Sequence, residues 1–206
     1  MVGGVSEDSS SDVIETALRD LRYDRVWLSS GLLSIENLLR QHQDFRDNVP
    51  WSTDLEHFHV NALHAWLTMR YQLTDAELEN ALVVLQSQTG VLSTLSGLRL
   101  LLSANLRDGQ FERVLALACL VGLGSDVAAF QRFAREWNKG IRTEPFLQGG
   151  IDGGVAAIHL LLAKQSETAW VLKALKGHGT SKEVRHVAKQ RLQQLGELSG
   201  EEAAPQ

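Results

Sequence analysis

The chain has 206 residues, 44% of them hydrophobic and 22% charged, with three prolines and a single cysteine. This is ordinary globular composition, which excludes collagen-like and Pro-rich architectures, while one cysteine excludes an internal disulfide framework and a Cys-rich zinc site. The formal net charge of −5 argues against bulk electrostatic capture of nucleic acid but leaves room for a local basic patch.

Thirty-four leucines stand against five isoleucines and two tyrosines. Leucine favours helices, while β-branched and aromatic residues favour strands, so an all-α fold is expected. Residues 1–11 are small, acidic and serine-rich, without the basic and apolar regions of a secretory signal. They are expected to form a disordered tail, as is 199–206, leaving 12–198 as one helical-repeat domain. The longest apolar run, Val114 to Leu123, is too short for a membrane span, which needs about 20 residues. A protein without membrane contact, located in the cytoplasm, is the expectation.

About ten helices follow from the 3.6-residue period. Asp12 is placed as the N-cap of a helix from Val13 to Arg22. A second runs from Trp27 to Gln43, with Leu28, Leu32, Ile35, Leu38 and Leu39 on one face. Asp47-Asn48-Val49-Pro50 breaks the chain, because a residue before proline leaves the α region. Asp54 caps a helix to Arg70, and Thr74-Asp75-Ala76-Glu77 is a capping box opening a helix to Gln88, stopped by Gly90. Helices 91–106, 110–123 and 125–139 follow, with Gly140 past the end of the last. The segment from Thr143 to Gly154, with Pro145 and four glycines, reads as the longest loop. Helices 155–164, 167–176 and 182–198 complete the chain. Their lengths and short turns predict stacked antiparallel hairpins, pairing 54–70 with 74–88, 91–106 with 110–123, and 155–164 with 167–176. Val84-Leu85, Val114-Leu115 and Val171-Leu172 recur at spacings of 30 and 57 residues, and 30 is in the range of helical repeats.

The segment Ser181-Lys182-Glu183-Val184-Arg185-His186-Val187-Ala188-Lys189-Gln190-Arg191-Leu192-Gln193-Gln194-Leu195-Gly196 resembles the second helix of a HEAT-type repeat. A polar turn precedes Val-Arg, an alanine lies three residues after the arginine, and leucines close the helix before a glycine. The helix carrying Val171, Leu172 and Leu175 would be the first of that repeat, so the resemblance spans about residues 166–197. It implies an α-solenoid that presents surfaces to partners, usually proteins and sometimes nucleic acid. It also implies that Val184, Ala188, Leu192 and Leu195 bury against Val171, Leu172 and Leu175.

Catalytic signals are sparse. His57, His59 and His64 with Asn61 form the densest set of possible metal ligands. However, His57 and His64 are two turns apart, about 10 Å at 1.5 Å per residue, and the His-Glu-x-x-His arrangement is absent. The HEAT-repeat hydroxylases hold iron through His-Glu pairs, which this chain lacks. Gly122-Leu123-Gly124-Ser125 lacks the preceding strand of a dinucleotide fingerprint and reads as helix, tight turn, helix. The glycines from Gly149 to Gly154 are not followed by Gly-Lys-Ser/Thr, so they form no phosphate loop. Cys119, inside the apolar run, is expected to be an inert buried thiol. The sequence therefore calls for no catalytic residue, metal or cofactor.

Charge is more informative. Asp54, Glu56, Asp75, Glu77 and Glu79 face only Arg70 between residues 54 and 90. Lys164, Lys173, Lys176, Lys182, Arg185, Lys189 and Arg191 face only Glu167 and Glu183 between 164 and 194. Lys182, Arg185 and Lys189 fall at i, i+3 and i+7 and form one ridge on the side of the helix away from its apolar stripe. The leading expectation is a non-enzymatic scaffold, adaptor or inhibitor that docks a protein with an acidic surface through this ridge. A nucleic-acid-binding HEAT-like protein is the alternative, and an enzyme with its site near His57–His64 comes third.

Overall fold

The computed structural model describes residues 7–47, 55–87 and 91–201, and among them it is all helical, without strands. The chain forms two compact units, residues 1–123 and 124–206.

The first unit holds α1 (Glu7–Asp20), α2 (Val26–Ser29), α3 (Ile35–Asp47), α4 (Glu56–Thr68), α5 (Asp75–Gln86), α6 (Val91–Leu102) and α7 (Asp108–Leu120). Helix α1 starts at Glu7, so Asp12 lies inside it rather than at its cap. Its end is closed by two backbone bonds, Tyr23 N–H to the Leu18 carbonyl and Arg22 N–H to the Arg19 carbonyl. Arg22 takes the left-handed conformation (φ 55°) that this closure requires and that glycine usually supplies.

The expected helix from Trp27 to Gln43 is two helices. Gly31 turns the chain with φ 74°, and the Leu33 N–H returns to the Trp27 carbonyl. Ser34 then caps α3, its hydroxyl accepting from the Asn37 N–H at 3.1 Å. The apolar period continues across the break because Leu32, Leu33 and Leu38 are all buried, as Trp27 is. The expected break at Asn48-Val49-Pro50, the Asp54 cap and the Gly90 stop lie outside the described residues.

The capping box at α5 forms as expected: Glu77 N–H donates to the Thr74 hydroxyl, and Thr74 N–H donates to the Glu77 carboxylate at 2.9 Å. Helix α7 opens similarly, with Arg107 N–H donating to Gln110 Oε1 at 3.0 Å. Leu73 and Leu106 are both buried just before these helices, and Leu78 and Phe111 are buried one turn inside them. That is the pattern of a hydrophobic staple. Leu73-Thr74-Asp75-Ala76-Glu77-Leu78-Glu79-Asn80-Ala81-Leu82 therefore corresponds to Leu106-Arg107-Asp108-Gly109-Gln110-Phe111-Glu112-Arg113-Val114-Leu115, 33 residues on. The 30-residue register of the Val-Leu dipeptides is three residues out, because the cap and staple fix where each helix begins. Helix α6 packs against α4, α5 and α7, an arrangement compatible with a helical repeat. Gly97 permits the close approach of α5 and α6, since a Cβ there would meet the Leu85 side chain.

The second unit holds α8 (Ser125–Asn138), α9 (Glu144–Asp152), α10 (Ala156–Gln165), α11 (Ala169–His178) and α12 (Lys182–Glu201). Helix α9 replaces the expected loop. Thr143 adopts the extended conformation of an N-cap, and Pro145 sits in the first turn, where a missing N–H costs nothing and a fixed φ suits the helix. Gly150 lets α9 lie against the Phe133 ring, which stacks on Phe146 at 4.3 Å. Gly140 ends α8 with φ 84°, as its position after Asn138-Lys139 predicts.

Helix α12 packs on both α10 and α11. Val184 and Ala188 are buried with Val171, Leu172 and Leu175, as expected. Leu192 and Leu195 pack against the same cluster but are only half-buried. Here the expectation needs correcting: ten-residue α11 is half the length of α12 and leaves the far part of the stripe partly exposed. Buried His159 joins three parts of this unit. Its Nε2–H donates to the Ile151 carbonyl at 2.8 Å, and its Nδ1 accepts from the Thr180 N–H at 3.3 Å.

Candidate functional site

Helices α11 and α12 form a hairpin joined by Gly179-Thr180-Ser181. Lys173, Lys176, Lys182 and Lys189 on it are exposed, and none of them makes an ion pair among the described residues. Arg185 differs from them. It is half-buried, and its Nη1–H donates to the Gly179 carbonyl at 2.6 Å. Gly179 is needed at this turn because a Cβ there would strike the Leu175 carbonyl and the Val184 side chain. The ridge of Lys182, Arg185 and Lys189 is thus two solvated ammonium groups flanking a guanidinium that also closes the turn.

The three carboxylates of α5 are each paired with an arginine, one within the 54–90 stretch and two from α7 and its N-cap. Glu77 bonds Arg70 at 2.9 Å, Asp75 pairs with Arg107, and Glu79 pairs with Arg113 at 2.6 Å. Arg107 and Arg113 lie outside the 54–90 window, so local counting misses them. Asp75 also accepts from Gln110 at 2.9 Å, and the Arg107 and Gln110 bonds hold its carboxyl below the usual range. The Thr74 N–H and hydroxyl, with Arg70, do the same for Glu77. Asp20, a separate acid near the end of α1, is lowered mainly by its 2.9 Å bond to buried His42.

The three histidines of α4 do not converge. His57 and His64 are both exposed, on the face their seven-residue spacing dictates. His59 lies on another face, its Nε2–H donating to the Leu21 carbonyl at 3.0 Å and its ring against Tyr23 and Trp27. Among the described residues, no three His, Cys, Asp or Glu side chains are grouped to hold a metal ion. His57 instead lines a groove of about 530 Å³ between α3 and α4, together with Asn37, Arg40, Gln41, Asp44, Phe45, Phe58, Asn61 and Ala65. Buried Gln41 fixes its floor, accepting from the Tyr23 hydroxyl at 2.7 Å and donating to the Phe58 carbonyl. Burial pushes the Tyr23 phenol well above its ordinary pKa. The groove was missed in the sequence, although Asn37, Arg40, Gln41 and Asp44 form a polar row at i, i+3, i+4 and i+7 that marks one face of α3.

Cys119 is exposed, contrary to expectation. Burial in α7 follows Phe111, Val114, Leu115 and Ala118, and Cys119 and Leu120 point away from that stripe, Leu120 at 82% exposure. The segment Gly122-Leu123-Gly124-Ser125 is a tight turn between helices: Gly122 has φ 107°, and Gly124 is the N-cap of α8.

No helix among the described residues is long and apolar enough to cross a membrane. Comparison with protein-family models, curated proteins and solved structures finds no match to this chain. The class of protein is defined by its helices: an all-α chain compatible with a helical repeat.

Proposed function

We propose that the protein is a non-enzymatic scaffold, adaptor or inhibitor that docks an acidic protein surface through the lysine-rich side of α11 and α12. On this reading the hairpin is HEAT-like, and the protein works in the cytoplasm. The supporting observation is the electrostatic contrast. The carboxylates of α5 are answered by arginines within their own unit, whereas Lys173, Lys176, Lys182 and Lys189 have no carboxylate partner among the described residues. Exposed charges of one sign speed association with a surface of the opposite sign and give a salt-sensitive on-rate. The chain's six lysines all lie between residues 139 and 189, so this charge belongs to the second unit.

The test compares capture by the wild-type chain and by the Lys182→Glu/Lys189→Glu double variant from an extract of the native host, with a short DNA duplex as a parallel ligand. A captured protein of acidic surface, lost on reversal and released by moderate salt, supports the proposal. Retention of the same partner by the double variant rejects the ridge. Tight duplex binding that falls steeply with salt, as phosphate contacts require, rejects protein docking in favour of the nucleic-acid alternative.

A further inference from the structure

We infer that the groove between α3 and α4 is a binding site for the free carboxylate end of an extended peptide. This site lies in the first unit and is independent of the basic ridge. Arg40 supplies the anchor. It is exposed, lines the groove and makes no ion pair among the described residues. Its Nη2–H is held by Asn37 Oδ1 at 2.9 Å. That bond fixes the orientation of the guanidinium and leaves its remaining N–H groups for a carboxylate, the geometry in which arginine binds this anion most strongly.

The opposite wall fits the rest of a chain end. Asn61 of α4 is exposed on the groove, and its carboxamide offers one donor and one acceptor edge, the complement of a peptide group. Phe45 of α3 and Phe58 of α4 also line the groove, and their rings meet edge to face at 6.4 Å, an apolar surface for a terminal side chain. The volume of about 530 Å³ is within the range of small-ligand pockets and too small for a folded partner. Asp44 sits one helical turn beyond Arg40 on the same groove. The fixed Gln41 floor means the site is preformed, which lowers the ordering cost of binding.

The test uses the full chain labelled with nitrogen-15 and a pool of N-acetylated tripeptides with free C-terminal carboxylates. The same pool with amidated C-termini, hexanoate and inorganic phosphate serve as comparison ligands. The expected result is that the free-acid pool shifts amide signals of residues 37–45 and 57–65, with at least about tenfold weaker binding by the amidated pool. A tenfold loss corresponds to about 1.4 kcal/mol. Arg40→Gln and, separately, Asn61→Ala should weaken the free-acid response by a similar factor while leaving the rest of the spectrum in place. Equal binding of acid and amide pools, or an unchanged response in Arg40→Gln, overturns the assignment. So does absence of any response at millimolar concentration. Hexanoate binding as well as the peptides moves the site to small carboxylic acids and overturns the peptide reading, and stronger binding of phosphate overturns the carboxylate. Lys182→Glu/Lys189→Glu leaves these shifts unchanged, so failure here is separable from failure of the basic ridge.

Discussion

The Arg185 guanidinium donates to the Gly179 carbonyl at 2.6 Å across the turn between α11 and α12. A charge that looks like one tooth of a solvent ridge in the sequence is therefore also a clasp on a helix end. At the last turn of α11 the carbonyl dipoles point outward, so a cation is favourable there in addition to the hydrogen bond.

This relationship separates Arg185 from its neighbours in a stability measurement. Arg185→Ala should cost about 1.5 kcal/mol, the usual contribution of a hydrogen bond to a charged group. Lys182→Glu and Lys189→Glu should each stay within about 0.5 kcal/mol, as surface changes do. Urea unfolding of the three variants checks this. Equal destabilisation by all three would show that the clasp contributes nothing beyond surface charge.

The half-exposure of Leu192 sets a second expectation. Leu175 is fully buried, so Leu175→Ala should cost about 2–5 kcal/mol. Leu192 touches the same cluster but keeps part of its surface in water, and Leu192→Ala should cost roughly half as much. If calorimetry found the two equal, the α12 stripe would be continuous core to its end.

What the sequence displayed, and what it concealed, follows from the range of each signal. Helix type and the Thr74–Glu77 capping box are local, and both are present. The division of α2 from α3 was also locally written, in Ser29-Ser30-Gly31 and in Ser34 before Ile35-Glu36, but the leucine period runs through it and masks the break. Helix α9 was hidden because Pro145 and the glycines signal loops in isolation. In context, Pro145 opens the helix, and Gly150 is small because the Phe133 ring occupies the space of a side chain. Two of the acids counted in 54–90, Asp75 and Glu79, are paired with Arg107 and Arg113, which arrive from 32 and 34 residues away. Likewise, no one-dimensional pattern brings Asn61 of α4 opposite Arg40 of α3; the groove exists only once the two helices pack.

The lowered carboxyls give the last expectation, a specific acid dependence. Asp20, Asp75 and Glu77 all titrate below their ordinary values in the folded chain, held by His42, by Arg107 with Gln110, and by Thr74 with Arg70. A group with a depressed folded pKa binds its proton more readily when unfolded, so unfolding takes up protons and acid favours it. The contribution is fully present above the unfolded carboxyl values, about 4, and is lost as pH falls through the lower folded values. Between pH 7 and 5 these three groups should leave the urea midpoint flat, and below about pH 4 the midpoint should drop. Asp20→Asn removes one of the three and should make the drop shallower while lowering the plateau, since His42 loses its carboxylate partner. Glu77→Gln should keep part of the plateau, because the amide oxygen still accepts from the Thr74 N–H as Gln110 does from Arg107. An acid limb of unchanged slope in Asp20→Asn would mean that other carboxyls govern acid unfolding.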